Sequence, residues 1–447
     1  MERMKVGRKT AGISLALGAM ILLASCSSGD SATEATTAAE TAAPAESAAA
    51  TTDAAGNCIT DIFGAGGPAA GEGLVINDGM LLAMTGAGSF FGEVMSKGAQ
   101  LAAEQIKAAG GPEFKISIAD HKNGDVPTAI TEVKRLISQD DIVTLQTSYG
   151  APSEAIAPII AEAGVLTLNG GGSSPGQLNK DFLWQNRMLY AEDPNAGALA
   201  WLAATYPEAK TLALIGTMEN GVGTFNDSAP NNWAALTGGT IVAAEQHDVG
   251  STDFKALASK IKAANPDLVM SFSFGDDVGY QVKALREAGV TVPIMGDEFT
   301  QQAAEVAGAS YDTFNFATDF YNVENPNPWN VCYVAAHQAK YGNDPEYYGS
   351  NYYEQLFIFW ELVKRVFAAG GDPQDAGQLQ DALIADPSFN SVYGGDDVTV
   401  GIATFSSDGS ISKPMGVFSV KDGKPVLEQE IVKIAPGADP KTALVAK

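Results

Sequence analysis

An α/β fold of two lobes, each built on a parallel sheet, is what this chain predicts, and three observations predict it. From residue 79, apolar runs of about five to seven residues alternate with segments of helical period. The alternation restarts near residue 210 with the same rhythm. About 370 residues follow a low-complexity N-terminal region, more than one common core accommodates.

In the first series, "MLLAMT" is a strand and "GEVMSKGAQLAAEQIKAAGG" a helix whose apolar residues recur at three and four and which closes on Gly110-Gly111. "FKISIAD", "DIVTLQTS" and "VLTLN" are further strands, separated by the helices "VPTAITEVKRLISQ" and "APSEAIAPIIAEAG". Strands that alternate with helices in this way pair in parallel and are covered on both faces. The second series begins after "DPNAGALAWLAATYPEA". Its strands are "KTLALIG", "GTIVAAEQ", "DLVMSFSF" and "VTVPIMG"; its helices are "GVGTFNDSAPNNWAAL", "STDFKALASKIKAANP" and "DDVGYQVKALREAG". The helix at "STDFKALASKIKAANP" is expected to start on its Ser/Thr/Asp cluster and to stop before Asn265-Pro266. Two long helices, "WNVCYVAAHQAKYG" and "NYYEQLFIFWELVKRVFAAGG", come next. The tail then changes to alternating strand with Asp408-Gly409 and Asp422-Gly423 turns, two hairpin signals.

The N-terminus points outside the cytoplasm. Arg3, Lys5, Arg8 and Lys9 precede the uncharged run "AGISLALGAMILLA", which is too short to span a bilayer comfortably and has the length of a signal-peptide core. It ends in "LASC", so residues 1–25 read as a lipoprotein signal and Cys26 as the lipidated residue. Residues 26–73 are rich in Ala, Thr, Ser, Glu and Gly; they are expected to be a disordered tether, because they cannot bury enough apolar surface to offset their ordering entropy. Of the other cysteines, Cys58 and Cys332 form either a disulfide or two unrelated thiols.

Lys and Arg number 27 against 53 Asp and Glu. Removing the signal's four basic residues and one acidic residue leaves 23 against 52, a charge near −29. Nucleic acid and anionic lipid are poor partners for such a chain. His121, His247 and His337 are widely separated, with no Cys or acidic cluster at ligand spacing, so no metal site is expected.

Gly86, Gly88 and Gly92 follow the first strand and suggest a dinucleotide loop, with Asp120 ending the next strand where a ribose-binding acid would stand. The spacing is wrong, however: the third glycine position is occupied by Phe91. No cofactor is expected. What remains is the chemistry of strand ends, where helix N-termini offer unpaired N–H groups. "TGAGSFFGE", "TSYGAPSE" and "NGGGSSPGQ" are three such loops, and the last two bring Ser148, Tyr149, Gly150, Gly171, Gly172 and Ser173 to strand ends. Their N–H and hydroxyl groups suit a carboxylate or small polar guest.

Taken together, "AMTGAGSFFGEVMSKGAQLAAEQIKAAGG", "GAPSEAIAPIIAEAGVLTLNGGGSSP", "TDFKALASKIKAANPDLVMSFSFGDDVGYQVKALREAGV" and "PIMGDE" resemble the type I solute-binding proteins of ABC transporters, in the branched-chain amino acid group. The resemblance covers residues 79–425. It implies two Rossmann-like lobes joined by three hinge crossovers, with residues 74–192 and 321–388 in lobe 1 and 193–320 and 389–447 in lobe 2. It also implies that Phe91, Ser148 to Gly150, Gly171 and Ser173 meet an α-carboxylate and part of an α-ammonium, and that Glu298 pairs with the ammonium. Asn220 and Phe274 stand where amino-acid-binding members carry tyrosines, two lost hydroxyls that set this chain apart. Tyr348, Tyr352 and Tyr353 either reach the cleft or pack their helix.

The resulting expectation is a monomeric, lipid-anchored, non-enzymatic receptor outside the cytoplasm. It would pass a small solute, an amino acid or related carboxylate, to an ABC permease and its ATPase. The alternatives are a binder of urea, short amides or aromatic acids, and a ligand sensor of the same fold. An exported hydrolase is disfavoured, since Ser148 and Ser173 have no histidine in their own loops and no nucleophile-elbow spacing.

Overall fold

The computed structural model describes residues 58–446 apart from 87, 173, 189–192, 218–222, 320 and 435–436. The signal segment 1–25, Cys26, the tether as far as residue 57, Ser173 and Asn220 lie outside the described residues.

The first alternating series folds as β1 (Val75–Leu82), α1 (Ser89–Ala108), β2 (Glu113–Asp120), α2 (Val126–Gln139), β3 (Thr144–Thr147), α3 (Gly150–Ala163), β4 (Leu166–Asn169) and a fifth strand, β5 (Leu183–Gln185). These five strands form one parallel sheet in the order β2-β1-β3-β4-β5. Every residue of β3 and β4 is buried, as a sheet covered on both faces requires. Local chemistry sets the helix starts. Asp125 caps α2 by accepting the Thr128 N–H at 2.9 Å, with Pro127 in the first turn, where a missing N–H costs nothing.

The second series runs α4 (Asp193–Thr205), β6 (Thr211–Thr217), α5 (Gly223–Thr237), β7 (Thr240–His247), α6 (Lys255–Ala264), β8 (Leu268–Phe272), α7 (Asp276–Glu287), β9 (Ile294–Gly296), α8 (Gln301–Ala307) and β10 (Phe314–Asp319). Its parallel strands are ordered β7-β6-β8-β9-β10, the order of the first sheet repeated. The start of α6 differs from expectation. The cap position is Phe254, whose ring is buried edge-on against His247, while Asp253 of the expected cluster accepts the Lys255 N–H at 3.1 Å. The helix does stop at Asn265, in the left-handed region at φ 47°.

The chain then returns to the first sheet's flank with α9 (Pro328–Tyr341), α10 (Tyr347–Ala368) and α11 (Ala376–Ala385). Helix α10 lies along α1, and the two touch backbone to backbone at a glycine pair: a Cβ on Gly98 would stand 2.0 Å from the Gly349 carbonyl oxygen. Strands β11 (Ser388–Gly395), β12 (Val400–Phe405) and β13 (Ile411–Ser412) form a small antiparallel sheet. Lobe 2 was expected to resume at residue 389, but this small sheet packs on α9 and α10, and its Phe405 ring sits edge-on to Trp184 of β5. Only β14 (Met415–Lys421) and β15 (Lys424–Ile431) rejoin the second sheet, antiparallel to β10. Their turn is Asp422-Gly423, both at positive φ, as expected for that hairpin.

The expectation of a tether as far as residue 73 is corrected for its last part. Residues 58–63 are helical, and Ile59 is fully buried. The Phe63 ring packs among Trp329, Phe357 and Trp360, and Trp360 Nε1–H donates to the Ala70 carbonyl at 2.8 Å. Glycine richness misled here: Gly66 approaches Ala109 so closely that a Cβ would lie 2.1 Å from its carbonyl oxygen. Cys58 is disulfide-bonded to Cys332 of α9, which closes 274 residues of chain.

The chain passes between the two large sheets three times: after β5, after β10 and between β13 and β14. The three links meet. Asp319, ending β10, accepts from the Met188 N–H at 3.3 Å and from the Tyr347 hydroxyl at 2.9 Å. The Lys413 N–H donates to Met188 Sδ at 3.3 Å.

Candidate functional site

In parallel sheets the strand order reverses beside the first strand, and the loops there open a crevice at the carboxyl ends. Both sheets do this between β1 and β3 and between β6 and β8, and among the described residues Phe91, Ser148 to Gly150, Gly171, Phe274 and Glu298 lie in loops or helix starts that follow strands. Phe91, in the first turn of α1, turns its ring edge to Tyr348 of α10 at 5.0 Å and to Tyr149 at 6.5 Å. Across the gap stands Gly275, before α7. A Cβ there would meet the Phe91 ring at 3.2 Å, so the two lobes are in contact. Tyr149 holds φ 64°, unusual for a tyrosine, and this aims its carbonyl at Gln177 Nε2 and Asn169 Nδ2. Gly150 opens α3 beside it, and Gly171 donates its N–H to Asn169 Oδ1 at 3.0 Å. Phe274 is half-buried on the opposite side.

Ser148 is fully buried at the end of β3. Sequence reasoning placed no histidine near it, but the sheet brings His121, which follows β2, to 2.9 Å from its Oγ. The pair is not a nucleophile and its base. Gly124 donates its N–H to His121 Nδ1 at 2.9 Å, so Nδ1 carries no proton and Nε2 does. His121 therefore gives a hydrogen bond to Ser148 and cannot remove its proton. Burial lowers the imidazole's pKa to about 4, which keeps it neutral at physiological pH.

The second lobe contributes carboxylates. Glu298, 2% exposed, accepts from the Gly275 N–H at 2.6 Å through Oε1 and from the Tyr348 hydroxyl at 2.5 Å through Oε2. It thus joins its own lobe to α10. Asp297 beside it is equally buried. Burial raises the pKa of both; the charge of Glu298 raises Asp297 further, and the Arg187 guanidinium opposes both shifts. Glu346, before α10, is pushed up to about 7 by burial and by the Glu298 charge. Arg187 donates from Nη1 to the Gly171 carbonyl at 3.0 Å and to the Tyr348 hydroxyl at 2.9 Å, and it lies over the Tyr347 and Tyr348 rings. One buried cation thus acts on Asp297 and Glu298 beside an aromatic wall, and Glu346 adds a third carboxylate close to Glu298.

Arg187, Asp297 and His121 were not read as site residues. Arg187 follows β5, whose three residues "LWQ" carry too little periodicity to register as a strand; the strand-end rule would otherwise have pointed to it. Tyr348 faces the cleft. Tyr352 donates to the Thr147 carbonyl and Tyr353 to Gln105 Oε1, so both serve packing. The Asp120 carboxylate accepts from the Met84 and Lys122 N–H groups and the Thr85 hydroxyl, so it braces the loop. Gly92 lets α1 approach β1, since a Cβ would lie 2.3 Å from the Ala83 oxygen. Among the described residues, no group of three or more His, Cys, Asp or Glu could hold a metal ion, and no helix is long and apolar enough to cross a membrane.

Residues 76–425 match the family described as periplasmic binding protein. The chain is 28% identical over 229 residues to a Pseudomonas aeruginosa protein named amino acid binding protein, covering 50% of this chain and only 61% of that one. It is 24% identical over 349 residues to the Leu/Ile/Val-binding protein homolog 1 of Brucella suis biovar 1, covering 76% of this chain and 90% of that one. Its fold is that of a leucine binding protein from Thermotoga maritima (22% identity, TM-score 0.70, 80% of this chain and 99% of that one). It is also that of a solute binding protein from R. palustris in complex with benzoate (19% identity, TM-score 0.71, 81% and 98%). The chain belongs to the periplasmic binding protein family, with the two-lobed type I fold, and is a binding protein rather than an enzyme.

Proposed function

From that membership and the composition of the cleft, we propose that this protein is the lipid-anchored, monomeric receptor of an ABC permease and that it captures a small solute, an amino acid of the branched-chain or a related kind, between its lobes. The lipid anchor rests on the signal-like N-terminus and Cys26. Phe91, Ser148, Tyr149, Gly150, Gly171 and Ser173 hold the carboxylate, Glu298 takes the ammonium, and Asn220, Phe274 and Tyr348 line the rest. The observation that carries this reading is the charge imbalance around Glu298. Carboxylates buried with too few cations are costly unless a cation arrives, and an α-ammonium supplies one. The names of the amino acid and Leu/Ile/Val-binding relatives support the same class.

A second reading is an aromatic acid. It is favoured by Arg187 over the Tyr347 and Tyr348 rings and by the benzoate-bound neighbour. Calorimetry against a panel of amino acids, short amides and benzoates separates the two. Glu298→Gln is expected to weaken a bound amino acid at least tenfold, about 1.4 kcal/mol, while leaving benzoate within about twofold. Equal loss for both ligand types, or none for the amino acid, would reject the ammonium assignment.

A further inference from the structure

The repeated sheet order carries a repeated side-chain pair. His121 follows edge strand β2 and reaches across the end of β1 to Ser148, which follows β3. In the second sheet His247 ends edge strand β7 and reaches across β6 to Ser273, which follows β8, with Nε2 2.7 Å from Oγ. All four side chains are buried. Each serine stands immediately before the loop that starts a cleft-facing helix: Tyr149 and Gly150 at α3, Phe274 and Gly275 at α7.

The two pairs are wired oppositely. His121 Nδ1 receives the Gly124 N–H, so Nε2–H donates to Ser148 Oγ. His247 Nδ1 lies 2.9 Å from the Asp248 carbonyl, which can only accept, so that nitrogen carries the proton and bare Nε2 takes the Ser273 hydroxyl proton. Ser273 Oγ in turn accepts from Gln281 Nε2 at 2.9 Å. Asp277 Oδ2, 3.9 Å from His247 Nδ1, accepts the Gly250 N–H at 2.8 Å. The Ser273 hydroxyl is therefore committed inward. The Ser148 proton is not consumed by its histidine; its resting acceptor is the Leu81 carbonyl at a long 3.4 Å. A carboxylate oxygen is a better acceptor.

Resting on the carboxylate reading above, we propose that His121 and His247 are positioning residues that give the two halves of the cleft opposite polarity. His121 fixes Ser148 as a hydrogen-bond donor to the ligand's anionic group. His247 withdraws Ser273 as a donor and leaves the carboxylates of Asp297 and Glu298 as the charged groups of the second lobe's side. An amphoteric ligand is thereby oriented with its anionic end on the first lobe and its cationic end on the second.

Two measurements test this on the mature protein without a histidine tag. The chain has three histidines, so a long-range 1H–15N spectrum of histidine-labelled wild type at pH 7 resolves them all. The expected spectrum has one imidazole protonated at Nε2, His121, and His247 protonated at Nδ1 alone. Protonation of His121 at Nδ1, or a doubly protonated His247, would overturn the wiring. Second, calorimetry with L-leucine and with benzoate gives a double-mutant cycle. His121→Leu is expected to weaken whichever probe binds at least tenfold, and less than twofold in a Ser148→Ala background. Equal losses in both backgrounds would mean that His121 does not act through Ser148. If neither probe binds wild type, the carboxylate reading fails, and the spectrum decides the wiring by itself.

Discussion

Two clusters of buried charge share α10 and are built on opposite terms. Near the crossover between β13 and β14, Lys413 and Glu354 form an ion pair at 3.2 Å with neither side chain exposed. Lys413 also donates to Asn351 Oδ1 at 3.0 Å and lies over the Tyr393 ring; burial raises the Glu354 pKa, and the Lys413 charge and hydrogen bond oppose that shift. In the cleft, Arg187 is the cation beside Asp297 and Glu298, Glu346 adds its charge beside Glu298, and burial holds all three carboxylates above their ordinary range. The balanced pair serves the scaffold. The unbalanced cluster lies where the lobes touch, and under the proposed amino acid reading a cationic ligand would relieve its cost.

The comparison can be broken most forcefully at the balanced pair. Lys413→Met leaves Glu354 buried alone and is expected to cost about 3–5 kcal/mol in denaturant unfolding, while adding Glu354→Leu restores most of it. No recovery in the double variant would mean that the pair's packing, not its charge, matters. Asp78 of β1 is an intermediate case. Fully buried, it accepts only neutral donors, from the Thr144 hydroxyl and Gln146 Nε2, both at 2.7 Å, and burial pushes it up to about 7. An acid with a raised folded pKa loses stability as pH rises from its unfolded value near 4 towards 7. Asp78→Asn is expected to match wild type near pH 4 and to exceed it by about 1–3 kcal/mol at pH 8, read as urea midpoints at the two pH values. In the cleft, Glu298→Gln removes a penalised charge and is expected to raise unliganded stability by about 1 kcal/mol while weakening amino acid binding; a loss of stability would make Glu298 a structural acid.

The smallest expected effect is on pH. Burial raises the Asp297 and Glu298 carboxylates, so under the proposed reading an arriving ammonium would displace protons from them. Amino acid affinity should therefore fall as pH falls, with proton release visible as a buffer-dependent binding enthalpy. Benzoate affinity should move the other way.

Much of this was legible from local pattern. The alternation of strand and helix, the restart near residue 210 and the Asp422-Gly423 hairpin are carried by side-chain period and turn chemistry, which neighbouring residues determine. Ser148 and its loop could be named because the ends of parallel strands are where helix N-termini face outward, whereas Phe91 and Glu298 were named through the family resemblance. Arg187 escaped because three-residue β5 carries no period, and the packing of 58–73 escaped because glycine richness reads the same in a loose linker and in a tight contact.

What the sequence determined by itself was the set of elements and the residues at their ends, because those depend on spacing along the chain. What only tertiary structure decided was which of those ends meet. His121 reaches Ser148 across β1, Arg187 shares the cleft with Glu298, and Lys413 finds Glu354, each pair brought together by strand order and crossovers rather than by local spacing. Protonation and charge balance in the cleft follow from those meetings, since burial and a specific partner set a group's ionisation and neither is written in the residues beside it.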